Sequence, residues 1–156
     1  METTNIRIAI ADDHQLVIDG IRSLLGNTPE IEIIGEALNG KILLELLEKK
    51  LPDIVLVDIN MPDIDGVEAT RRICSLYQEV KVLILSTHND IRLIREILRL
   101  GAKGYVLKSA GQEELLNAIR TLHMGGTFFS KEVHDRITRS LMKQEKHHPP
   151  KSALPP

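Results

Sequence analysis

Five times in succession, a short run rich in Ile and Val is followed by a longer amphipathic stretch, and this alternation is what most restricts the fold. The runs are Ile6–Ala11, Ile31–Ile34, Ile54–Val57, Val82–Leu85 and Gly104–Leu107. The stretches that follow them are Gln15–Leu25, Lys41–Lys49, Val67–Leu76, Ile91–Leu100 and Glu113–Met124. Runs of four to six nearly continuous apolar residues read as strands covered on both faces. Strands that alternate with helices give βα units and a parallel, doubly wound α/β sheet. The punctuation agrees. Pro29, Pro52 and Pro62 fall between elements, where a missing N–H costs nothing. Asp90 reads as the N-cap before Ile91, and Gly101 as the residue that ends the following helix.

Right-handed crossovers leave few topologies for five such units, and the expectation is a five-stranded, flavodoxin-like (βα)5 sheet in the order 2-1-3-4-5. Residues 1–126 form this domain, ended by Gly125-Gly126. Residues 127–156 read as a helical extension and a Pro-rich tail. Lys131–Lys143 forms one charged helix with Val133, Ile137 and Leu141 on a stripe, and from Glu145 four of the seven prolines fall in twelve residues. The only cysteine is Cys74, so no disulfide framework exists, which suits a reducing cytoplasm. No apolar run approaches the roughly 20 residues of a membrane span, and the N-terminus has no secretory pattern. With 20 basic and 22 acidic residues the formal charge is −2. Near-neutrality, two Tyr, two Phe and no Trp argue against a nucleic-acid surface on this chain.

In open parallel sheets, sites form beyond the carboxyl ends of the strands. Here those ends carry Asp12-Asp13, Asp58, Ser86 and Lys108. In the order 2-1-3-4-5 these come from neighbouring strands, so three carboxylates, a hydroxyl and an ammonium converge. Neither capping nor solubility requires that. Oxygen-rich clusters suit Mg²⁺. A divalent cation with a Lys and a hydroxyl is a recurring layout for phosphoryl transfer. Asp58 is then a candidate nucleophile, forming an acyl phosphate.

Five segments in order strengthen this reading: Ile10-Ala11-Asp12-Asp13-His14, Val57-Asp58-Ile59-Asn60-Met61-Pro62, Asp65-Gly66, Ser86, and Gly101-Ala102-Lys103-Gly104-Tyr105-Val106-Leu107-Lys108-Ser109. Together they resemble the receiver domain of bacterial two-component response regulators over roughly residues 5–125. Gly35-Glu36-Ala37, Asn39-Gly40 and Gly125-Gly126-Thr127-Phe128-Phe129-Ser130 resemble its NarL/LuxR-type (FixJ-like) subfamily. The resemblance implies that Asp58 accepts phosphate from a sensor histidine kinase. It implies Mg²⁺, or Mn²⁺ in its place, on Asp12, Asp13, Asp58 and the backbone carbonyl of Asn60. Lys108 would pair with the phosphoryl oxygens, Ser86 would turn towards them, and Tyr105 would follow into the space Ser86 leaves. Receivers of this kind are phosphoacceptors with self-phosphatase chemistry at most, rather than turnover enzymes. The subfamily carries a C-terminal helix-turn-helix domain. Too few residues follow Met124 here to hold it, so the chain reads as the receiver segment of a longer transcription regulator, or else as a stand-alone receiver. DNA binding through that further domain and homodimerisation on phosphorylation are the implied outputs.

Other readings set these in proportion. Asp12-Asp13 could simply cap a helix. His14 reads as helix-start packing, Cys74 as a semi-buried apolar residue, and His147-His148 as too little for a metal site. His88 could tune water attack or be an ordinary loop histidine. Gly35–Lys41 fits G-x-x-x-x-G-K, but Ile42 stands where a P-loop needs Ser or Thr. A haloacid-dehalogenase-like phosphohydrolase also uses Asp, Mg²⁺ and Lys, yet Asp58-Ile59-Asn60 lacks its second acid. A flavin module needs stacking aromatics that this chain lacks.

Overall fold

The computed structural model describes residues 5–147. Its strands are β1 (Ile6–Ala11), β2 (Ile31–Ala37), β3 (Ile54–Val57), β4 (Lys81–Ser86), β5 (Gly104–Leu107) and β6 (Phe128–Phe129). Its helices are α1 (Gln15–Leu25), α2 (Gly40–Lys49), α3 (Gly66–Leu76), α4 (Ile91–Leu100), α5 (Gln112–His123) and α6 (Lys131–His147). All strand pairs are parallel and the order is β2-β1-β3-β4-β5-β6. This is the flavodoxin-like α/β arrangement, with one strand more than the five expected.

Two layers of core explain why the strands are apolar throughout. On one face Ile8, Ile10, Leu56 and Leu83 pack against Ile18, Ile21 and Leu25 of α1 and Leu115, Ile119 and Leu122 of α5. On the other, Val55, Val57, Val82 and Ile84 meet Leu43 and Leu47 of α2, Ile73 of α3, and Ile94 and Ile97 of α4. Burying side chains of this size contributes about 1.5–3 kcal/mol each. The caps fall where the sequence places them. The Asp90 carboxylate accepts the Arg92 N–H at 3.0 Å, and Gly101 closes α4 at φ 118°. In that left-handed region a Cβ is unfavourable.

The sixth strand is the correction to the fold. The Phe128 N–H donates to the Lys103 carbonyl (3.1 Å) and the Ser130 N–H to the Tyr105 carbonyl (3.0 Å). The chain leaving α5 therefore pairs with β5 before α6 begins. Gly104 permits this approach, because a Cβ there would lie 3.0 Å from the Phe128 carbonyl oxygen. The extension is also a longer helix than expected and runs into the tail as far as His147. On its stripe Val133 is wholly buried, Ile137 packs against the α4-side core, and Leu141 is exposed. His148 and the four prolines of the tail lie outside the described residues. No helix among the described residues is long and apolar enough to cross a membrane.

Candidate functional site

The carboxyl ends of β1, β3, β4 and β5 bring the expected residues to one edge of the sheet. Parallel registers align Ala11 with Val57 and Ser86 with Leu107, so the residue after each strand faces its neighbours. Backbone bonds pin those residues. The Asp58 N–H donates to the Ala11 carbonyl (2.9 Å), the Asp12 N–H to the Ala37 carbonyl (3.0 Å), and the Lys108 N–H to the Ser86 carbonyl (2.8 Å). Asp12 and Asp58 are buried, whereas the Asp13 side chain is about one-third exposed, at 32%. The Lys108 ammonium spans the two buried acids, 2.8 Å from Asp12 Oδ2 and 3.4 Å from Asp58 Oδ1.

Asp58 is held against its charge. Burial, and then the Asp12 carboxylate beside it, push its carboxyl above the usual range, while Lys108 and the Asn60 backbone N–H pull it only part of the way back. Burial works against the Lys108 ammonium, but the Asp12 hydrogen bond and the charges of Asp58 and Asp12 outweigh it and raise its pKa. The excess of acid over base is what a divalent cation would relieve. Asp12, Asp13, His14 and Asp58 each offer a ligand atom within 4.8 Å of the others. Three carboxylates make this a hard, oxygen-rich set, which fits Mg²⁺.

Ser86 and Tyr105 lie beside the cluster and meet at His88. The buried Ser86 hydroxyl accepts the His88 N–H at 3.0 Å, and the Tyr105 hydroxyl donates to the His88 carbonyl at 2.7 Å. Tyr105 is wholly buried, and burial raises its hydroxyl pKa. The family resemblance implies an inward step of Tyr105, and in this structure the ring is already inside. The His88 ring in turn meets the Asn60 side chain, Nε2 to Nδ2 at 2.7 Å.

All the expected site residues are thus at one sheet edge. Capping is not what the acid pair does, because the N-cap of α1 is His14, and Asp12 instead accepts the His14 N–H at 2.9 Å. The His14 ring is more involved than packing requires, with Nδ1 2.9 Å from Asp13 Oδ1. The links of His88 to Asn60, and of the Ser130 hydroxyl to the Leu107 N–H at 3.0 Å, have no sequence signal, since both join segments far apart in the chain. The G-x-x-x-x-G-K decoy has a packing explanation. Asn39 caps α2 through the Ile42 N–H (2.8 Å), and a Cβ on Gly40 would lie 2.1 Å from the Ile64 carbonyl oxygen. Burial raises the pKa of the half-buried Cys74 thiol, which packs against the core as an unreactive apolar group. An apolar groove of about 440 Å³ runs between α1 and α5, and of the acidic cluster's partners only Lys108 reaches it.

Residues 8–120 match the family described as the response regulator receiver domain. The chain is similar to the transcriptional regulatory protein DegU of Brevibacillus brevis, 40% identical over 139 residues, covering 89% of this chain and 57% of that protein. It is also similar to the response regulator UvrY of Escherichia coli K12, 33% identical over 149 residues, covering 96% of this chain and 68% of that protein. Among solved structures, a LuxR-family two-component response regulator from Aurantimonas superposes with a TM-score of 0.84 at 30% identity, covering 88% of this chain and 99% of that one. The chain therefore spans little more than half the length of one curated relative and about two-thirds of the other.

Proposed function

The chain belongs to the response regulator receiver family, and from that premise we propose that Asp58 is its phosphoacceptor, taking a phosphoryl group from a phosphohistidine on a sensor kinase. The convergence of Asp12, Asp13, Asp58 and Lys108 on one sheet edge carries this reading. An Asp58 oxygen forms a bond to phosphorus while the phosphorus–nitrogen bond to the donor histidine breaks and the imidazole leaves. Asp12, Asp13, Asp58 and the Asn60 backbone carbonyl would hold Mg²⁺, or Mn²⁺ in its place. Bound there, the metal supplies positive charge for the phosphoryl oxygens. Lys108 is free to follow the negative charge from the carboxylate to the phosphoryl group, since its stem is long and its ammonium already lies beside Asp58. Ser86 donates its hydroxyl hydrogen to a phosphoryl oxygen while its lone pair keeps the His88 N–H. Water attack on phosphorus later breaks the bond to Asp58 and releases inorganic phosphate. The chain is on this reading a phosphoacceptor rather than a turnover enzyme.

Family membership sets aside the phosphohydrolase reading. DegU is a transcriptional regulator by name, and we extend that output to this protein as control of DNA binding by a region outside these residues. A second copy of the phosphorylated chain is the other proposed partner, and a kinase that draws on ATP puts the exchange in the cytoplasm. The test is to incubate the chain with acetyl phosphate and Mg²⁺ and weigh it intact. One phosphoryl group is expected, lost in Asp58→Asn and without metal. An acid-stable phosphate persisting in Asp58→Asn would refute the assignment.

A further inference from the structure

Helix α6 lies beyond the residues that match the family, yet it is built into the core beside the site. Val133 is wholly buried in the same cluster as Tyr105, Ile94 and Ile97, and Ile137 packs against that cluster. The helix touches α4, β5 and β6. Its approach is fixed on the carboxyl side of Tyr105. The Ser130 N–H donates to the Tyr105 carbonyl, and the Ser130 hydroxyl accepts the Leu107 N–H two residues on. A polar groove of about 200 Å³ runs between the far side of α6 and the loop after His88, lined by Asn89, Glu132, Asp135, Arg136 and Arg139.

We infer that α6 is a lid over Tyr105, holding the ring in the inward position that a phosphorylated Asp58 favours. The inference rests on the phosphoacceptor reading above. On the face of β5 that packs against α4, α6 is what covers the strand at this edge of the sheet, since α5 serves the opposite face. Val133 of α6 is buried in the same cluster as the inward Tyr105 ring, so the docked helix packs the core on the side where that ring lies. The inward hydroxyl donates to the His88 carbonyl, and the amide of that same residue occupies Ser86. Tyr105, His88 and Ser86 are therefore one connected unit between α6 and the phosphoacceptor. Docked α6 and bound phosphoryl stabilise the same arrangement of it, so each must strengthen the other by the same factor. Phosphorylation then tightens α6 onto the domain, and whatever α6 leads to is positioned by that grip. Val133 and Ser130 are positioning residues, since neither touches the phosphoryl group.

The reciprocity gives the test. Beryllofluoride with Mg²⁺ serves as the phosphoryl mimic on the full 156-residue chain. Amide exchange across residues 134–143 should slow when it binds, by about 5-fold or more, the usual lower range of such couplings. Val133→Ala should weaken beryllofluoride affinity by a similar factor and raise the quenching of tyrosine fluorescence by acrylamide. Ile137→Ala, at a less buried position, should do the same more weakly, and the exchange measurement on the unaltered chain needs no variant to fold. Beryllofluoride binding with unchanged or faster α6 exchange would overturn the lid and leave the phosphoacceptor standing. No beryllofluoride binding and no mass gain with acetyl phosphate would overturn both.

Discussion

Asp58 pairs a buried carboxylate with the charge of Asp12, and its raised pKa means that the fold disfavours its ionised form. An acid raised above its unfolded value lends stability below that value and loses it as pH climbs through the folded pKa. At neutral pH without metal, Asp58 therefore costs the fold stability. Asp58→Asn removes the charge and leaves Lys108 paired with Asp12 at 2.8 Å, so no charge is orphaned. We expect this variant to be more stable by roughly 1 kcal/mol at pH 7 in chelator. The gap should close as pH falls below the folded pKa and the wild-type carboxyl takes up its proton. Urea melts between pH 7 and pH 4 check it, and a variant less stable at pH 7 would contradict the electrostatic account. Removing a ligand is a different matter from removing a hydroxyl. Asp13→Ala should weaken Mg²⁺ binding more than Ser86→Ala, whose hydroxyl faces the His88 N–H, as titration calorimetry would show. These residues are legible in the sequence because each sits at the end of an apolar run. The meeting of His88 with Asn60 is not, since it depends on where two loops 28 residues apart place their side chains.

The elements owe their legibility to the same cause, burial on both faces. Strands β1, β3 and β5 and helices α1 and α4 fall where the apolar periodicity puts them. β2 runs three residues beyond Ile34, because Gly35-Glu36-Ala37 pairs with Ala9–Ala11 after a register shift that no periodicity announces. β6 is two residues long, too short to carry a pattern at all. Two glycines show how context decides the sign of a substitution. Gly66 opens α3, donates its N–H to the Ile59 carbonyl at 2.7 Å, and would place a Cβ 2.2 Å from the Asp58 carbonyl oxygen. Backbone cannot yield cheaply, so Gly66→Ala should cost about 3 kcal/mol and disturb the loop that carries Asn60. Gly20 lies within α1, and a methyl group added there would meet nothing within 4 Å. Gly20→Ala should stabilise by about 0.5–1 kcal/mol through backbone entropy alone. Thermal melts of the pair should move in opposite directions, and a destabilised Gly20→Ala would show that the α1 surface is more tightly constrained than its open space suggests.

At the scale of the whole molecule, charge restricts what phosphorylation can do. The chain has 20 basic and 22 acidic residues, so 20 minus 22 gives the net −2. On α6 the cations Lys131, Arg136, Arg139, Lys143 and Lys146 share the helix with Glu132, Asp135 and Glu145, and Arg136 and Arg139 line one groove with Glu132 and Asp135, so acids offset the basic residues there. A phosphoryl group adds about −1.5 to −2 further charges at the sheet edge. That charge opposes nucleic acid, so on the proposed reading any gain in DNA binding must come through conformation, by a unit that favours one arrangement over another. Tyr105, His88 and α6 form such a unit, joined through the Ser130 and Val133 contacts on β5 and α4. The 156-residue chain, phosphorylated or not, should therefore show no salt-sensitive affinity for duplex DNA at micromolar concentration. Fluorescence anisotropy at about 50 mM and about 200 mM salt is decisive, because binding through several phosphate contacts would weaken steeply across that range. Tight, sequence-selective binding by these residues alone would place the DNA surface within this chain and remove the need for conformational relay.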